Sequence, residues 1–444
     1  MADVTHSDQG STLGDNRQYI EHLLYDQHWK QTTQSNSKID KLPPETLHQI
    51  LSFLSPHELA RVSITCRALA QSASNDLLWK KLVNSHIPFS IDEPGPFESF
   101  RRLYLAHLPY WFIPQNKIWF ADNEHTGNLI LARYDNRRGV IEAYRILADR
   151  GAPMFHVWAG HPDVMIQSFD PHVGLWLDDP VLLLKDPDPS APTSECQTWM
   201  AERSMRMAAE SHHLFNSLLL CSNTDTGVTD MSRLWPPALI PSNNRVARSV
   251  DDMNVSEPSH WSEASQEAFR IRRWTNFHVV HPGNNSAMVT YSTLDPSVYT
   301  PTRTKPYQGI WVGDYSAHGC EFLLITQGDP LTDEEVDNTS GVIQRGSLDA
   351  IKLTGDPNVP RGEITFQSPD IGPNGLIRVE TEEPFAGCRI VHSRGHVAGR
   401  GFRDDTFIAS QLILVSTEYI AHYWQEMGHI SYYRRVDIDD LLQT

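Results

Sequence analysis

Residues 41–82 hold the first strongly patterned stretch of the chain, in which apolar positions recur at helical spacing. A first helix is predicted to begin after Pro44, with leucine and isoleucine at the i, i+3, i+4 and i+7 positions of one face. Ser55 and Glu58 have the spacing of a capping box and predict the start of a second helix. A third helix is predicted to begin near Asn75. The apolar residues exceed what three short helices need to pack on one another, which leaves one face for the rest of the chain or for a partner.

The period of the apolar positions changes to two from about residue 110. The stretch GNLILARYDNRRGVIEAYRILAD predicts a β-hairpin around its turn-rich centre, and further strand-like runs follow along the chain. The run CQTWMAERSMRMAAESHHLFNSLLL interrupts them and predicts a helix, since its apolar residues are roughly periodic: Trp199, Met200, Met207, Leu214 and Leu218. An irregular polar stretch after it predicts a surface loop.

The composition excludes some classes of protein. The 444 residues are enough for a small helical module with one large or two ordinary domains, and 40% of them are hydrophobic. The formal net charge of -18 argues against a nucleic-acid binder, which needs a basic surface. No apolar run is long enough to span a membrane and the N-terminus lacks the apolar core of a signal peptide, so a soluble protein of the cytoplasm and/or nucleus is expected. Five scattered cysteines predict reduced thiols rather than a disulfide framework.

Residue identities in the helical stretch carry more information than its periodicity, which by itself also fits a bundle packed on its own chain. The run LPPETLHQILSFLSPHELARVSITCRALAQSASNDLLWKKL resembles the F-box along its whole length. This resemblance implies that the helices bind a Skp-type adaptor, which connects them to the cullin and RING subunits of a ubiquitin ligase. It implies an adaptor-binding face made of Leu42, Pro43, Leu47, Ile50, Leu51, Leu54, Leu59 and Val62.

Three segments in the C-terminal third carry a second resemblance: GIWVGDYSAHGCEFLLI, IKLTGDPNVPRGEITF and CRIVHSRGHVAGRGF. Their order and spacing are similar to those of the C-terminal domain of F-box-only proteins in the cyclin-D-binding family, over roughly residues 309–436. In that family the domain is a β-barrel-like receptor that holds a short peptide tail of the substrate. The expected fold class is therefore α+β, with a three-helix F-box followed by a large antiparallel β-rich, barrel-like substrate-binding domain.

The candidate substrate-binding residues are glycine, turn, aromatic and charged residues of these three segments. Glycines let a peptide backbone come close, and arginines can bind a carboxylate or a phosphate through two hydrogen bonds. The same residue types also serve barrel corners, local turn hydrogen bonds and ordinary surface ion pairs. The candidates are Gly313, Tyr315, His318, Glu321, Thr354, Asp356, Asn358, Arg394, Gly399, Arg400 and Phe402.

Motifs of catalysis and of metal binding are absent from the sequence. There is no Gly-x-Ser-x-Gly elbow, Walker loop, His-Glu-x-x-His or Cys-x-x-Cys pair. His392 with His396, or His212 and His213 with Cys196 and Cys221, could be assembled into a metal site, but among 21 histidines such coincidences are expected. No catalytic residue, metal or cofactor is therefore predicted.

The sequence thus predicts a non-catalytic substrate receptor of a Skp–cullin–F-box ubiquitin ligase, which binds a protein tail for ubiquitination and proteasomal degradation. Two alternatives stay open: a barrel that binds a small ligand, and an adaptor-bound scaffold acting outside ubiquitin transfer. The predicted organisation is a mostly disordered segment with a possible helix over 1–40, the F-box and a linker helix over 41–108, and a β-rich receptor domain over 109–444 with a helical and loop insertion around 190–270. The change of period near residue 110 further predicts that the β-rich part folds by itself.

Overall fold

The fold is described from a computed structural model of the chain. The structure describes residue 39 and residues 42–123, 125–152, 154–185, 201–207, 214–222, 257–275, 288–329 and 345–443. Within these ranges, only the backbone is described for residues 165, 214, 215, 274, 275 and 317. The possible N-terminal helix and most of the predicted surface loop lie outside the described residues.

Short helices form the N-terminal part, and they begin at the capping residues that the sequence supplies. The Ser55 hydroxyl accepts a hydrogen bond from the Glu58 N–H, and the Glu58 carboxylate accepts one from the Ser55 N–H at 2.8 Å, so the capping box is confirmed. Asn75 caps a later helix. The module has four helices instead of three, because Cys66 is extended and separates the second from the third. The helices of the described residues are α1 (Pro44–Leu51), α2 (Pro56–Ser63), α3 (Arg67–Ala73), α4 (Asp76–Asn84), α5 (Phe100–Ala106), α6 (Phe112–Asn116), α7 (Pro296–Tyr299) and α8 (Ile438–Gln443).

Strands make up most of the rest of the described chain. Their pairings are antiparallel, apart from one parallel contact between the fifth and the twentieth strand. The strands are β1 (Ile118–Ala121), β2 (Leu129–Asp135), β3 (Val140–Asp149), β4 (Phe155–Val157), β5 (Met165–Gln167), β6 (His172–Leu175), β7 (Leu182–Lys185), β8 (Glu202–Arg206), β9 (Leu214–Ser222), β10 (Ala264–Thr275), β11 (Met288–Thr293), β12 (Gly309–Asp314), β13 (Cys320–Gln327), β14 (Leu348–Lys352), β15 (Ile364–Ser368), β16 (Leu376–Val379), β17 (Arg389–Gly399), β18 (Arg403–Ser416), β19 (Tyr419–Trp424) and β20 (His429–Arg435).

The first sheet has nine strands in the order β6-β3-β2-β1-β11-β10-β9-β8, with β7 paired to the first half of β3. The predicted hairpin is confirmed as β2 and β3. The helix predicted over residues 196–220 is wrong: where it is described, it forms β8 and β9, which pair from Glu202–Leu219 to Arg206–Phe215. A short apolar run does not distinguish a buried strand from a buried helix by periodicity, and pairing of β9 with both β8 and β10 favours the strand. Of the predicted insertion around 190–270, residues 202–206, 214–222 and 264–270 are strands of this sheet, and residues 257–263 lie outside it, before β10.

The second sheet closes into a barrel. Its order is β12-β13-β14-β15-β17-β18-β19-β20, and β20 pairs back onto β12 from Trp311–Arg435 to Gly313–Tyr433. This gives an eight-stranded closed barrel, to which β16 adds outside β17 and β5 and β4 add beyond β20. The predicted α+β class with an antiparallel, barrel-like region is confirmed.

The helices and the first sheet share one hydrophobic core. This cluster runs from Leu47 in α1 through Trp79 in α4 to Phe269 in β10. Tyr104 of α5 stacks on Trp111 with ring centroids 6.0 Å apart, so aromatic contacts cross the boundary predicted near residue 109. This shared core argues against the prediction that the β-rich part folds by itself. A second cluster lies between the first sheet and the outer wall of the barrel, and a third fills the barrel.

Two further predictions concern thiols and membranes. Cys66, Cys221, Cys320 and Cys388 are not joined in disulfides in the part of the chain that the structure describes, and Cys196 lies outside that part. None of the helices in the described ranges combines the length and the apolar character needed to cross a bilayer.

Candidate functional site

An exposed apolar face lies at the N-terminal helices. Phe53 is 80% exposed and Leu77 is 63% exposed, and Leu42 and Ile50 are also exposed. A phenylalanine side chain that is exposed to water does not contribute to folding stability, and clustered exposed apolar residues mark interaction sites. These residues are the surplus apolar residues that the sequence pattern indicated, because other apolar residues fill the core of the helices.

The eight predicted adaptor-binding residues divide between this face and the core. Leu42, Pro43 and Ile50 are exposed, and Leu54 and Val62 are half-buried. Leu47, Leu51 and Leu59 are buried in the shared core, with Leu59 only 1% exposed. In such short helices, apolar residues at helical spacing lie on the buried side and on the exposed side. Periodicity therefore did not distinguish the three core residues from the residues at the surface. Phe53, which lies outside the predicted stripe, is the most exposed of the apolar side chains.

The three predicted substrate-binding segments meet at one end of the barrel. The Phe322 N–H donates to the Thr354 hydroxyl at 2.8 Å, which joins the first segment to the second. The Asn358 side-chain amide donates to the Ala398 carbonyl at 2.9 Å, and the Gly401 N–H donates to the Pro357 carbonyl at 2.7 Å. These two contacts join the second segment to the β17–β18 turn. We call the surface formed by residues 316–319, 354–360 and 399–403 the rim surface.

A buried ionic cluster lies beneath the rim surface. The Lys352 ammonium, 1% exposed, is 2.7 Å from a Glu321 carboxylate oxygen and 2.6 Å from one of Asp356. The ammonium also lies 4.2 Å from the centre of the Tyr315 ring, whose hydroxyl hydrogen-bonds to Thr365 at 2.9 Å. Glu321, Asp356 and Tyr315 are thus used internally.

The two carboxyl groups of this cluster have opposite pKa shifts. Burial raises the pKa of Glu321 to about 8, more than the neighbouring Lys352 charge lowers it. Burial also acts to raise the pKa of Asp356, but the Lys352 charge and the Val359 N–H outweigh it and lower this pKa to about 2. At neutral pH the cluster therefore contains one charged pair, Lys352 and Asp356, and a mainly protonated Glu321.

Glycines in the barrel wall make room for aromatic side chains. A Cβ at Gly313 would lie 2.6 Å from the Tyr433 ring, and one at Gly395 would lie 2.2 Å from the Trp424 ring. Gly313 is therefore required for packing against Tyr433. Large side chains such as these fill the described interior of the barrel, and this does not favour the alternative of a barrel that holds a small ligand.

Two arginines are among the exposed predicted residues, Arg400 in the β17–β18 turn and Arg394 further along β17. His318, Arg394, Gly399 and Arg400 are exposed, and the Arg394 guanidinium lies 5.6 Å from the centre of the Phe407 ring. Within the described ranges no ion pair involves Arg394 or Arg400. Both guanidinium groups are therefore available for an anionic partner on a chain with a net charge of -18.

Comparison with known families agrees with both regions. The F-box-like family model matches residues 39–85, which include α1 to α4, and the Cyclin D1 binding domain model matches residues 291–440, which include all eight strands of the closed barrel. The chain contains an F-box-like domain and a Cyclin D1 binding domain. Both resemblances seen in the sequence are thereby confirmed.

Similarity to curated relatives is limited in extent. The chain is 27% identical over 127 residues to Protein EXECUTER 2, chloroplastic, of Arabidopsis thaliana, which is 28% of this chain and 19% of that protein. It is 27% identical over 133 residues to the protein of the same name from Oryza sativa subsp. japonica, or 29% of this chain and 20% of that protein. The chain thus spans about a fifth of the length of these relatives, and the similarity carries no argument about function.

Several residues that shape the Cyclin D1 binding domain were not predicted as site residues. Lys352 is the last residue of β14 and the only charged residue on the side of β14 that faces the barrel interior. No local sequence motif indicates its contact with Glu321 on the neighbouring strand β13. His422 hydrogen-bonds to the Ser410 hydroxyl at 2.7 Å, and Ser410 to Ser393 at 2.7 Å. Burial lowers the pKa of His422 to about 3, so this chain of polar groups is neutral.

The histidine pair on β17 of this domain is not arranged as a metal site. His396 contacts the Ile364 carbonyl oxygen at 2.7 Å and an Asp405 carboxylate oxygen at 3.0 Å through its two ring nitrogens. Phe402, whose φ is +54°, packs its ring edge on His396. The described residues contain no group of three or more metal-ligating side chains, and Cys196, His212 and His213 lie outside them.

Proposed function

We propose that this chain is the substrate-recognition subunit of a Skp–cullin–F-box ubiquitin ligase in the cytoplasm and/or nucleus. The observation that carries the proposal is the exposed apolar face of the F-box-like domain, at Leu42, Ile50, Phe53 and Leu77. F-box domains bind a Skp-type adaptor, and this face offers that partner large apolar side chains that the chain itself does not cover. The cullin and RING subunits join through the adaptor.

The proposed role in catalysis is proximity. The chain supplies no reacting group and instead holds a target lysine near the charged ubiquitin-conjugating enzyme, which makes the transfer effectively unimolecular. A fixed distance between adaptor and substrate favours this role. The shared core of α1 to α5 and the first sheet supports a stiff connection, since no flexible linker separates the two in the described residues.

The rim surface is the proposed substrate-binding site. Arg400 is exposed there, Arg394 is exposed on β17 before it in the sequence, and a guanidinium gains most from a bidentate contact with a carboxylate or phosphate. Asp356, Asn358 and Thr354 would act as supports, because their side chains hydrogen-bond within the chain. The proposed ligand is a short peptide tail that carries negative charge.

Phe53→Asp is expected to weaken binding of a purified Skp-type adaptor by at least about tenfold, because it places an unpaired charge among the exposed apolar side chains of the F-box-like domain. Phe89→Asp is the matched control, since Phe89 is also exposed but lies beyond residues 39–85. Binding is measured by isothermal titration calorimetry and folding by circular dichroism. Undiminished adaptor binding by the folded Phe53→Asp variant would contradict the adaptor assignment.

Arg400→Glu is expected to weaken binding of acidic or phosphorylated peptide tails by about tenfold, and of neutral tails little, because only the former use a bidentate contact. The peptides come from proteins that accumulate with this chain under proteasome inhibition, synthesised with free, amidated and phosphorylated ends. Arg137→Glu, in the exposed β2–β3 turn, is the control for net charge. Equal weakening by both variants, or by neither, would place the substrate site elsewhere.

A further inference from the structure

A second set of exposed apolar residues lies on and beside two strand pairs, far in sequence from the F-box-like domain. β3 pairs with β6, and β4 pairs with β5, so that residues 146–149 run antiparallel to residues 172–175 and residues 155–157 to residues 165–167. Next to the second pair, the Ser168 N–H donates to the Met154 carbonyl at 2.7 Å, and the Met154 N–H donates to the Ser168 hydroxyl at 2.8 Å. The exposed apolar residues of this region are Leu147, Met154, Phe155, Val157, Trp176 and Leu177.

The strand β4 is an edge of the second sheet. It pairs with β5 on one side, and no strand in the described ranges pairs with its other side. In an antiparallel pair of strands, hydrogen-bonded residue pairs alternate with non-hydrogen-bonded ones. The Ser168 N–H bonds to the Met154 carbonyl, so Met154–Ser168 is a hydrogen-bonded pair. In the register of β4 and β5, the next hydrogen-bonded pair is therefore His156–Ile166. The N–H and C=O groups of Phe155 and Val157 therefore point away from β5, towards the open edge. Proteins usually cover or charge such an edge, and this one is apolar.

The surface at the C-terminal end of β4 is acidic. Glu382 lies beside Gly160, with its Cγ 3.7 Å from the position of a Cβ on that glycine. Glu382, Glu383 and Asp163 are exposed, and no ion pair involves them among the described residues. A basic side chain at the matching end of an added strand would find these carboxylates uncompensated.

We propose that β4 binds an extended segment of a partner protein as an added strand, with apolar side chains at alternate positions and lysine or arginine at the end that lies beside these carboxylates. Open backbone groups of Phe155 and Val157 supply the hydrogen bonds, and their side chains, 66% and 74% exposed, supply the apolar contact. The acidic end sets the charge preference. A basic partner fits better than a second copy of this chain, because copies with a net charge of -18 repel one another.

This surface is distinct from the two in the proposed function. It involves neither the exposed face of the F-box-like domain nor the rim surface, so its test does not depend on adaptor or substrate binding. The experiment uses the full chain and two labelled peptides, acetyl-KVTVTVK-amide and acetyl-EVTVTVE-amide, with binding measured by fluorescence anisotropy. The lysine peptide is expected to bind at least about tenfold more tightly than the glutamate peptide.

Two variants test the edge itself. Val157→Pro removes an N–H that points outward and keeps the β4–β5 bonds, so it is expected to weaken binding of the lysine peptide at least about tenfold. Phe155→Glu leaves the backbone intact and is expected to weaken binding of the lysine peptide as well. Val157→Thr is the matched control, since it retains the N–H and suits a strand. Circular dichroism confirms that each variant is folded.

Three results would overturn the proposal. The first is equal binding of the two peptides by the wild type. The second is undiminished binding of the lysine peptide by the folded Val157→Pro and Phe155→Glu variants. The third is failure of the wild type to bind either peptide, which would mean that the edge is already occupied. In that case light scattering distinguishes a second copy, which gives a concentration-dependent dimer that Val157→Pro dissociates, from a segment of the same chain, which leaves a monomer.

Discussion

Lys352→Met is expected to lower the free energy of unfolding by about 3–5 kcal/mol, the usual cost of removing one partner from a buried ion pair. The Asp356 side chain is 7% exposed and would keep its charge without the ammonium 2.6 Å away. The Asn358 and Val359 N–H groups would still donate to it, which places the effect at the lower end of this range. Urea unfolding followed by circular dichroism measures the change.

Glu321→Gln is the matched control at the same cluster. Because the pKa of Glu321 is raised from 4.5 to about 8, the folded chain binds a proton that the unfolded chain releases. Its contribution to stability is full below about pH 4.5 and is lost as the pH rises towards 8. The glutamine variant is expected to lose this pH dependence and to stay close to wild-type stability at neutral pH. A Lys352→Met variant as stable as wild type would show that solvent reaches the cluster.

A chain truncated to begin at Tyr110 is expected to misfold and aggregate. It lacks Trp79, whose ring lies 5.5 Å from that of Tyr104, and Tyr104, which stacks on Trp111. Loss of each buried aromatic side chain costs about 3–5 kcal/mol, and whole domains are stable by only about 5–15 kcal/mol. The exposed side of the first sheet would then present Trp111 and its neighbours as an apolar patch.

A chain that begins at residue 39 is the control, because it keeps α1 to α6 and every described residue of the shared core. Size-exclusion chromatography and circular dichroism compare the two truncations with the full chain. If the chain from Tyr110 were monomeric and folded, the β-rich part would be an independent unit, as the change of sequence period predicts.

Local features of the fold were accessible from the sequence alone. The spacing of Ser55 and Glu58 predicted the start of α2, and Asn75 predicted the start of α4, because caps act within a few residues. The β2–β3 hairpin followed from alternation and turn chemistry. Residue identities over whole segments identified the F-box-like and Cyclin D1 binding domains, which periodicity cannot do.

Features that depend on distant partners were decided by the tertiary structure. Leu59 and Ile50 both fit an apolar stripe, yet the first is inside and the second outside, since the burial of a residue depends on what packs against its helix. The residues of β9 became a strand because β8 and β10 pair with it. Glu321, a predicted ligand contact, lies instead against Lys352, 31 positions away, and Gly313 makes room for Tyr433. The first contact forms when β13 pairs with β14, and the second forms only when the barrel closes, because closure brings together β12 and β20, which are far apart in the sequence.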